Sequence, residues 1–393
     1  MAEWTECKIS DIGTVVGGAT PSTKNPENYE NGTISWITPK DLSTFNKRYI
    51  QRGERNITEI GLKSCSTQLL PKDAVLFSSR APIGYVAIAT NEVCTNQGFK
   101  SVVPNENIDP LFLYYLLKYN KNKIEGMGSG TTFKEVSGNT MKNIVVSVPI
   151  DKKVQERISS ILGSIDDKIE VNESINNNLE QQAQAVYYKM FSEVNTEPVE
   201  LSSIIDVRDG THDSPKAQAT GYYLITSKHL LSFGVDKASA NHISKADFDK
   251  INERSLVETQ DILMSMIGTI GLISYIPYET VDFAIKNVAL FKTSHTPELA
   301  YYFLCYLKSE KALQHIEKCL AGSTQKYISL GELRKMPIYS PTINEIREFN
   351  CLVKPMFEKI VSHTYENALL AEIRNTLLPK LMSGELDVSN IDL

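Results

Sequence analysis

The chain has 393 residues, 41% of them hydrophobic and 22% charged, with a formal net charge of −6, which allows two or three domains with ample core and does not advertise nucleic-acid binding. No apolar run approaches the roughly 18 residues of a membrane span, and Met1-Ala2-Glu3-Trp4-Thr5-Glu6 lacks the basic and apolar regions of a signal peptide. The six scattered cysteines form no C-x-x-C pair, so we expect a cytoplasmic protein with neither a disulfide framework nor a zinc site.

Residues 1–150 carry a net charge of +2. They read as an α/β segment. Short β-rich runs, such as Ile34-Ser35-Trp36-Ile37 and Ala74-Val75-Leu76-Phe77, are broken by Gly, Pro and Asn turn signals. The stretch from Leu111 to Tyr119 reads as a buried helix, and Gly126-Met127-Gly128-Ser129-Gly130 as a flexible loop. Residues 151–195, net −3, begin with a long helix: 151–192 contain no proline and only one glycine, Gly163. Apolar or small groups fall at Ile158, Leu162, Ile165, Ile169, Leu179, Ala183, Val186 and Met190. Those steps alternate four and three, the seam of a coiled coil, and Asn172 and Asn176 occupy its two missing positions. Asp166 and Asp167 are adjacent, so they point to different faces and read as solvated helix charges.

Residues 196–341, net −2, repeat the first segment. Ile9-Ser10-Asp11-Ile12 is echoed by Leu201-Ser202-Ser203-Ile204, and Gly18, Ser22 and Lys24 by Gly210, Ser214 and Lys216. Ile37-Thr38-Pro39-Lys40-Asp41-Leu42 is echoed by Ile225-Thr226-Ser227-Lys228-His229-Leu230. Asp73-Ala74-Val75-Leu76, Tyr114-Tyr115 and Gly130-Thr131-Thr132-Phe133-Lys134 return as Asp261-Ile262-Leu263-Met264, Tyr301-Tyr302 and Gly322-Ser323-Thr324-Gln325-Lys326. The constant order and slowly drifting offset mark a duplicated domain. The period is far too long for a solenoid. A second buried helix is expected from Leu299 to Leu307.

Residues 342–393, net −3, form the second long helix. Thr342-Ile343-Asn344-Glu345 is a capping-box start and Gly384 a stop. Phe349, Val353, Met356, Ile360, Leu370, Leu377 and Leu381 fall on the same seam. His363 and Asn367 match Asn172 and Asn176, and Arg374 takes the place of Ala183. Pro355 should kink this helix or delay its start. Neither helix can hide its seam alone, and the economical solution is that the two pair. The long α/β connection leaves either orientation sterically open. The expected fold is α+β: two tandem α/β domains, and long helices paired as an antiparallel coiled coil with pseudo-twofold symmetry. The alternative is two amphipathic helices packed separately on their own domains.

Catalytic signatures are missing. The sequence has no G-x-x-x-x-G-K-[ST], no G-x-G-x-x-G, no Asn-Pro-Pro-aromatic, no H-E-x-x-H and no G-x-S-x-G. No two of the six histidines are spaced like metal ligands, and His212-Asp213 sits in a loop without a second histidine nearby. The chain reads as a binding scaffold that carries two similar recognition domains.

Gly17-Gly18-Ala19-Thr20-Pro21-Ser22 with Ile34-Ser35-Trp36-Ile37-Thr38 resembles the opening of a target-recognition domain. So does Arg208-Asp209-Gly210-Thr211-His212-Asp213-Ser214-Pro215-Lys216 with Leu224-Ile225-Thr226-Ser227-Lys228. With Phe77-Ser78-Ser79-Arg80-Ala81-Pro82-Ile83-Gly84 and Leu377-Leu378-Pro379-Lys380-Leu381-Met382-Ser383-Gly384, nearly the whole chain resembles the specificity (S) subunits of Type I restriction–modification systems. The resemblance implies that each α/β domain reads half of a bipartite, asymmetric site on double-stranded DNA. It implies that the paired helices set the unread spacer, about one duplex turn (~34 Å) between half-site centres, and dock two methyltransferase (M) subunits. Those subunits would carry S-adenosylmethionine and methylate adenine. Restriction (R) subunits would add ATP- and Mg-dependent work, leaving this chain non-catalytic and free of cofactors.

Base reading needs donor and acceptor groups. The candidates are Ser22, Lys24, Lys40, Arg80 and Lys134 in the first domain, and Arg208, His212, Lys216, Lys228, Gln325 and Lys326 in the second. Fewer than about half are expected to touch DNA, mostly at phosphates. Rival readings are a silent specificity cassette and a coiled-coil scaffold with no DNA role.

Overall fold

In the computed structural model, the described residues are all but 1, 44, 131–133, 193–196, 323–325, 390 and 392–393. Both long helices start where cap chemistry sets them. The first runs Lys152–Phe191, and the Asp151 carboxylate accepts from the Lys153 amide (2.9 Å) at its N-terminus. The second runs Ile343–Met382. There Thr342 and Glu345 form the expected reciprocal capping box: the Thr342 amide donates to Glu345 Oε2 (2.7 Å) and the Glu345 amide to Thr342 Oγ1 (3.3 Å). Gly384, at φ +74, takes the left-handed conformation that ends the helix, and its amide donates to the Leu381 carbonyl (3.3 Å). Pro355 neither delays nor interrupts this helix, contrary to the sequence expectation. Its ring removes one amide donor, but Pro355 and Cys351 are both exposed, so water can satisfy the orphaned Cys351 carbonyl.

The chain folds into two units: Met1–Val171 with Asn367–Leu393, and Asn172–Glu366. In the first, a five-stranded sheet has the spatial order Gly13–Gly17, Lys100–Pro104, Val75–Ser79, Ile83–Ala89, Tyr49–Ile50. Only the last pairing is parallel. A three-stranded sheet orders Arg55–Ile57, Ile34–Ile37 and Cys94–Thr95, the last two parallel. A two-stranded ribbon joins Trp4–Lys8 to Val145–Pro149, whose end leads into the first long helix.

The second unit repeats this plan. Its four-stranded sheet runs Val207–Asp209, Val288–Phe291, Ile262–Ser265, Ile273–Tyr275; its three-stranded sheet runs Asn241–Ile243, Tyr222–Ile225, Phe283–Ile285; its ribbon pairs Val199–Glu200 with Pro337–Ile338. In place of the fifth strand, a single parallel bridge joins Phe233 to Tyr275, where Tyr49 pairs with Ile88 in the first unit. The central strands Val75–Ser79 and Ile262–Ser265 are buried at every position, which is why they read as apolar runs rather than alternations.

Each main sheet is covered by an almost wholly apolar helix, Pro110–Tyr119 or Ala300–Leu307, as expected for a helix sunk in a core. Against these lie the long helices. In the first unit Ile158 and Leu162 share a core with Leu381 and Met382, and Leu377 packs on it. In the second unit Leu179, Ala183, Val186, Tyr187 and Phe191 share a core with Phe349, Val353, Met356, Phe357 and Ile360. The early part of one helix thus meets the late part of the other in each unit, so the pairing is antiparallel. Ile165, Ile169 and Leu370 are half-buried.

Polar seam positions find partners. In the second unit Asn172 Nδ2 donates to Glu366 Oε2 (2.8 Å), and His363 Nδ1 lies 2.8 Å from Asn176 Oδ1. Asn367 is half-buried on the C-terminal helix in the first unit. Asp166 overturns its reading as a solvated charge. It is buried, accepting from the Tyr115 hydroxyl (2.6 Å) and from Arg374 Nη1 (2.6 Å). Burial, then the Asp166 charge and hydrogen bond, push the Tyr115 phenol up, so it stays a donor. Adjacent Asp167 is exposed as expected, but it pairs with Arg48, whose buried guanidinium also donates to Glu170 (3.0 Å) and the Gly163 carbonyl (3.2 Å).

Candidate nucleic-acid interface

In the first unit four loops converge beyond the strand ends. Gly18 is forced by close approach: a Cβ there would lie 2.2 Å from the carbonyl oxygens of Thr95 and Asn96. The Ala19 amide donates to the Thr95 carbonyl (3.1 Å), and the Thr20 hydroxyl meets the Gln97 side chain. Trp36 Nε1 donates to the Ala19 carbonyl (3.1 Å) and the Tyr29 hydroxyl to the Pro21 carbonyl (2.6 Å), fixing the segment from below. The next loop joins through Ser79, whose amide donates to the Gly98 carbonyl (2.7 Å), and the last through Val136, whose amide donates to the Ser79 carbonyl (3.0 Å).

Arg80 bridges to Glu135, with Nη1 3.6 Å from Oε2, and Lys100 reaches the same carboxylate at 3.5 Å. Exposed Lys134 is the neighbour of that carboxylate in the hairpin closed by Ser129 and Glu135. Ser22 and Lys24 follow on an exposed turn, where the Ser22 carbonyl accepts from Asn28 Nδ2 (2.9 Å). Lys40 is exposed but tied to Glu54 (2.8 Å), whose hydrogen bond and charge raise the Lys40 ammonium pKa.

The second unit assembles the same loops from different side chains. A Cβ on Gly210 would lie 2.3 Å from the Ile285 carbonyl oxygen. The Gly210 amide donates to the Val288 carbonyl (2.9 Å), and the Thr211 amide to the Ile285 carbonyl (3.0 Å). His212 stands where Thr20 does. Its Nδ1 lies 2.8 Å from Asn287 Oδ1 and its Nε2 3.1 Å from Asp209 Oδ2, while Arg254 also engages Asp209. These contacts hold the loop against the Asn287 turn and the strand that carries Asp209. The Ile328 amide donates to the Met266 carbonyl (3.0 Å), matching Val136 and Ser79, and exposed Lys326 adjoins the hairpin pair Ala321–Tyr327.

The structure thus brings Arg80 and Lys134 together in one loop cluster, and His212 and Lys326 onto the equivalent cluster. Lys216 and Lys228 are exposed. Arg208 is half-buried on its strand, donating to Asp206 (2.7 Å) and the Arg254 carbonyl (3.3 Å). Gln325 lies outside the described residues. Sequence reading missed one loop in each unit: Gln97 and Lys100 in the first, Lys286 and Asn287 in the second. Lys286 Nζ donates to Ser214 Oγ (2.5 Å). The turn signals Asn96-Gln97-Gly98 and Asn287, at φ +54, were available.

Two segments of the chain, 1–181 and 193–375, match the family described as Type I restriction modification DNA specificity domain. The chain is 33% identical to the Type I restriction enzyme MjaIX specificity subunit of Methanocaldococcus jannaschii, over 99% of this chain and 95% of that one. It is 22% identical to the HindI specificity subunit of Haemophilus influenzae, over 98% and 100%. Among solved structures it is similar in fold to a Type I S subunit from M. genitalium (TM-score 0.55, 17% identity, 99% and 97% coverage). A duplicated domain, long helices between and after the copies, and a full-length match at this identity together place the chain in the family of Type I restriction–modification specificity subunits.

Proposed function

We propose that this chain reads a bipartite, asymmetric DNA site, one half with each loop cluster, and that the helix pair sets the spacer between them. The observation that carries this reading is the repetition of one loop scaffold with changed side chains at matching points. Thr20 with Gln97 in one unit becomes His212 with Asn287 in the other, and Arg80 becomes Ile267. Conserved backbone geometry with altered donors and acceptors is what two different half-sites require. With an overall net charge of −6, phosphate attraction rests on local basic groups and on partners.

The helices are the docking surface for two M subunits. Exposed Val171, Leu369 and Ile373 in the first unit, and Ile175 and Leu352 in the second, support that role. M and R subunits supply S-adenosylmethionine, Mg and ATP chemistry in the cytoplasm; this chain supplies the address.

Long-read methylation mapping of a host carrying the chain with its M partner tests the proposal. A two-part adenine-methylated motif that disappears with this chain is the expected result. No new motif, together with no salt-dependent DNA binding by the purified complex, would leave a protein scaffold instead. Deleting one heptad from each long helix should shorten the spacer by ~10 Å, about three base pairs; an unchanged spacer would sink the measuring role of the helices.

A further inference from the structure

The second unit contains a side-chain cluster apart from the loop residues described above. His315 lies on the helix Glu310–Lys318, Cys319 caps its end one turn later, and Glu332 lies on the short helix Leu330–Arg334. One ligand atom from each lies within 4.8 Å of the others, and all three residues are half-buried. His315 Nε2 is 3.5 Å from Cys319 Sγ and 3.2 Å from the Glu332 main-chain carbonyl oxygen, so ligation through Nε2 gives up that hydrogen bond and leaves the ring proton on Nδ1. A tetrahedral zinc ion with its usual bond lengths sets nitrogen and sulfur about 3.6 Å apart. The sequence expectation of no zinc site weighed His–His spacings and C-x-x-C pairs, and this mixed set escapes both.

The duplication supplies an internal comparison. Ser137 and Ser329 cap matching helices, accepting from the Thr140 and Glu332 amides respectively, so Thr140 stands where Glu332 does. By the same alignment Lys123 and Met127 replace His315 and Cys319, and Lys123 Nζ donates to the Val145 carbonyl (2.7 Å). The first unit has no ligand set at this place. All three ligand types appear together only in the copy where the geometry converges.

We propose that His315, Cys319 and Glu332 bind a borderline divalent metal, zinc in the first instance, with water in the fourth position. Binding deprotonates the Cys319 thiol and releases that proton to solvent. The ion joins the two ends of the segment that carries Lys326, fixing the base of the Ala321–Tyr327 hairpin.

The test uses the purified full-length chain, stripped with a chelator, reloaded with zinc and desalted. One zinc per chain is expected by elemental analysis. Loading with cobalt instead should give a thiolate-to-cobalt charge-transfer band. His315→Asn and Cys319→Ser should each cut retained metal by about tenfold or more, and Cys319→Ser should abolish the band. Cys351→Ser, which removes an exposed cysteine elsewhere, should change neither. Wild-type protein that retains no zinc and shows no band overturns the proposal without relying on any variant. So does a Cys319→Ser chain that keeps both.

Discussion

The two units close the same helix pair with opposite chemistry. Both long helices have 40 residues, so their positions align directly: Asp166 corresponds to Phe357, and Arg374 to Ala183. The first unit fills the place with an ion pair between buried Asp166 and half-buried Arg374, anchored by the Tyr115 hydroxyl. The second fills it with apolar groups. Phe357 stacks on Tyr301 (centroids 4.7 Å, 12° between planes), Ala183 is fully buried, and Tyr302, the counterpart of Tyr115, donates to the Tyr339 carbonyl instead (2.6 Å). An apolar closure stabilises by packed area. A buried ion pair offsets its desolvation only when its geometry is kept, so it contributes more to register than to net stability. One scaffold therefore tolerates either solution, provided every buried polar atom in the polar version has a partner.

Five experiments break or sharpen the comparison of the two units. Phe357→Ala should have the largest effect, destabilising the chain by about 4 kcal/mol through lost burial and the cavity left behind; denaturant unfolding of the full chain measures it. Asp166→Ala should cost about 3 kcal/mol, because Arg374 and Tyr115 lose their shared acceptor. Converting the first unit to the apolar pattern, with Asp166→Phe, Arg374→Ala and Tyr115→Phe together, should recover most of that loss. A triple variant no more stable than Asp166→Ala would refute the equivalence of the two closures.

Lys134→Ala and Lys326→Ala should each lower the slope of log K against log salt by about one, measured by DNA binding of the complex with its M partner. An unchanged slope in both would place those hairpins away from the duplex.

The smallest effect concerns His229, the counterpart of Asp41. Asp41 Oδ2 accepts from the Thr38 amide (2.7 Å), and His229 Nδ1 accepts from the Thr226 amide (2.9 Å). Burial and then the Lys228 charge lower the His229 pKa. The unfolded chain therefore binds the proton first. This contribution to stability is present above about pH 6.5 and is lost as the pH falls through that value toward the depressed folded pKa. His229→Asn should remove the acid-side loss in unfolding midpoint between neutral and mildly acid pH; an identical loss in the variant would assign it to other groups.

The site was less legible than the fold. The loop positions of Arg80, Lys134, His212 and Lys326 are legible in the sequence because the repeat aligns them. Gln97 and Asn287 were not, because they reach the cluster through strand pairings distant in sequence, Ile37 with Thr95 and Ile225 with Ile285. Arg208 is paired with its exposed neighbour Asp206, a contact that its strand position does not announce.

What the sequence determined by itself was local or periodic. It set the duplication, both buried core helices, the extents of both long helices, the Thr342–Glu345 cap and the Gly384 stop. Each of these follows from backbone preferences and from the spacing of apolar groups within one segment. Only the tertiary structure decided the burial of Asp166 against Arg374, the passage of the helix through Pro355, and the meeting of His315 and Cys319 with Glu332. Periodicity says which face of a helix must be covered, but the covering partner is chosen by contacts between residues far apart in the chain. A carboxylate on a helix reads as solvated until an arginine from the other helix is brought beside it.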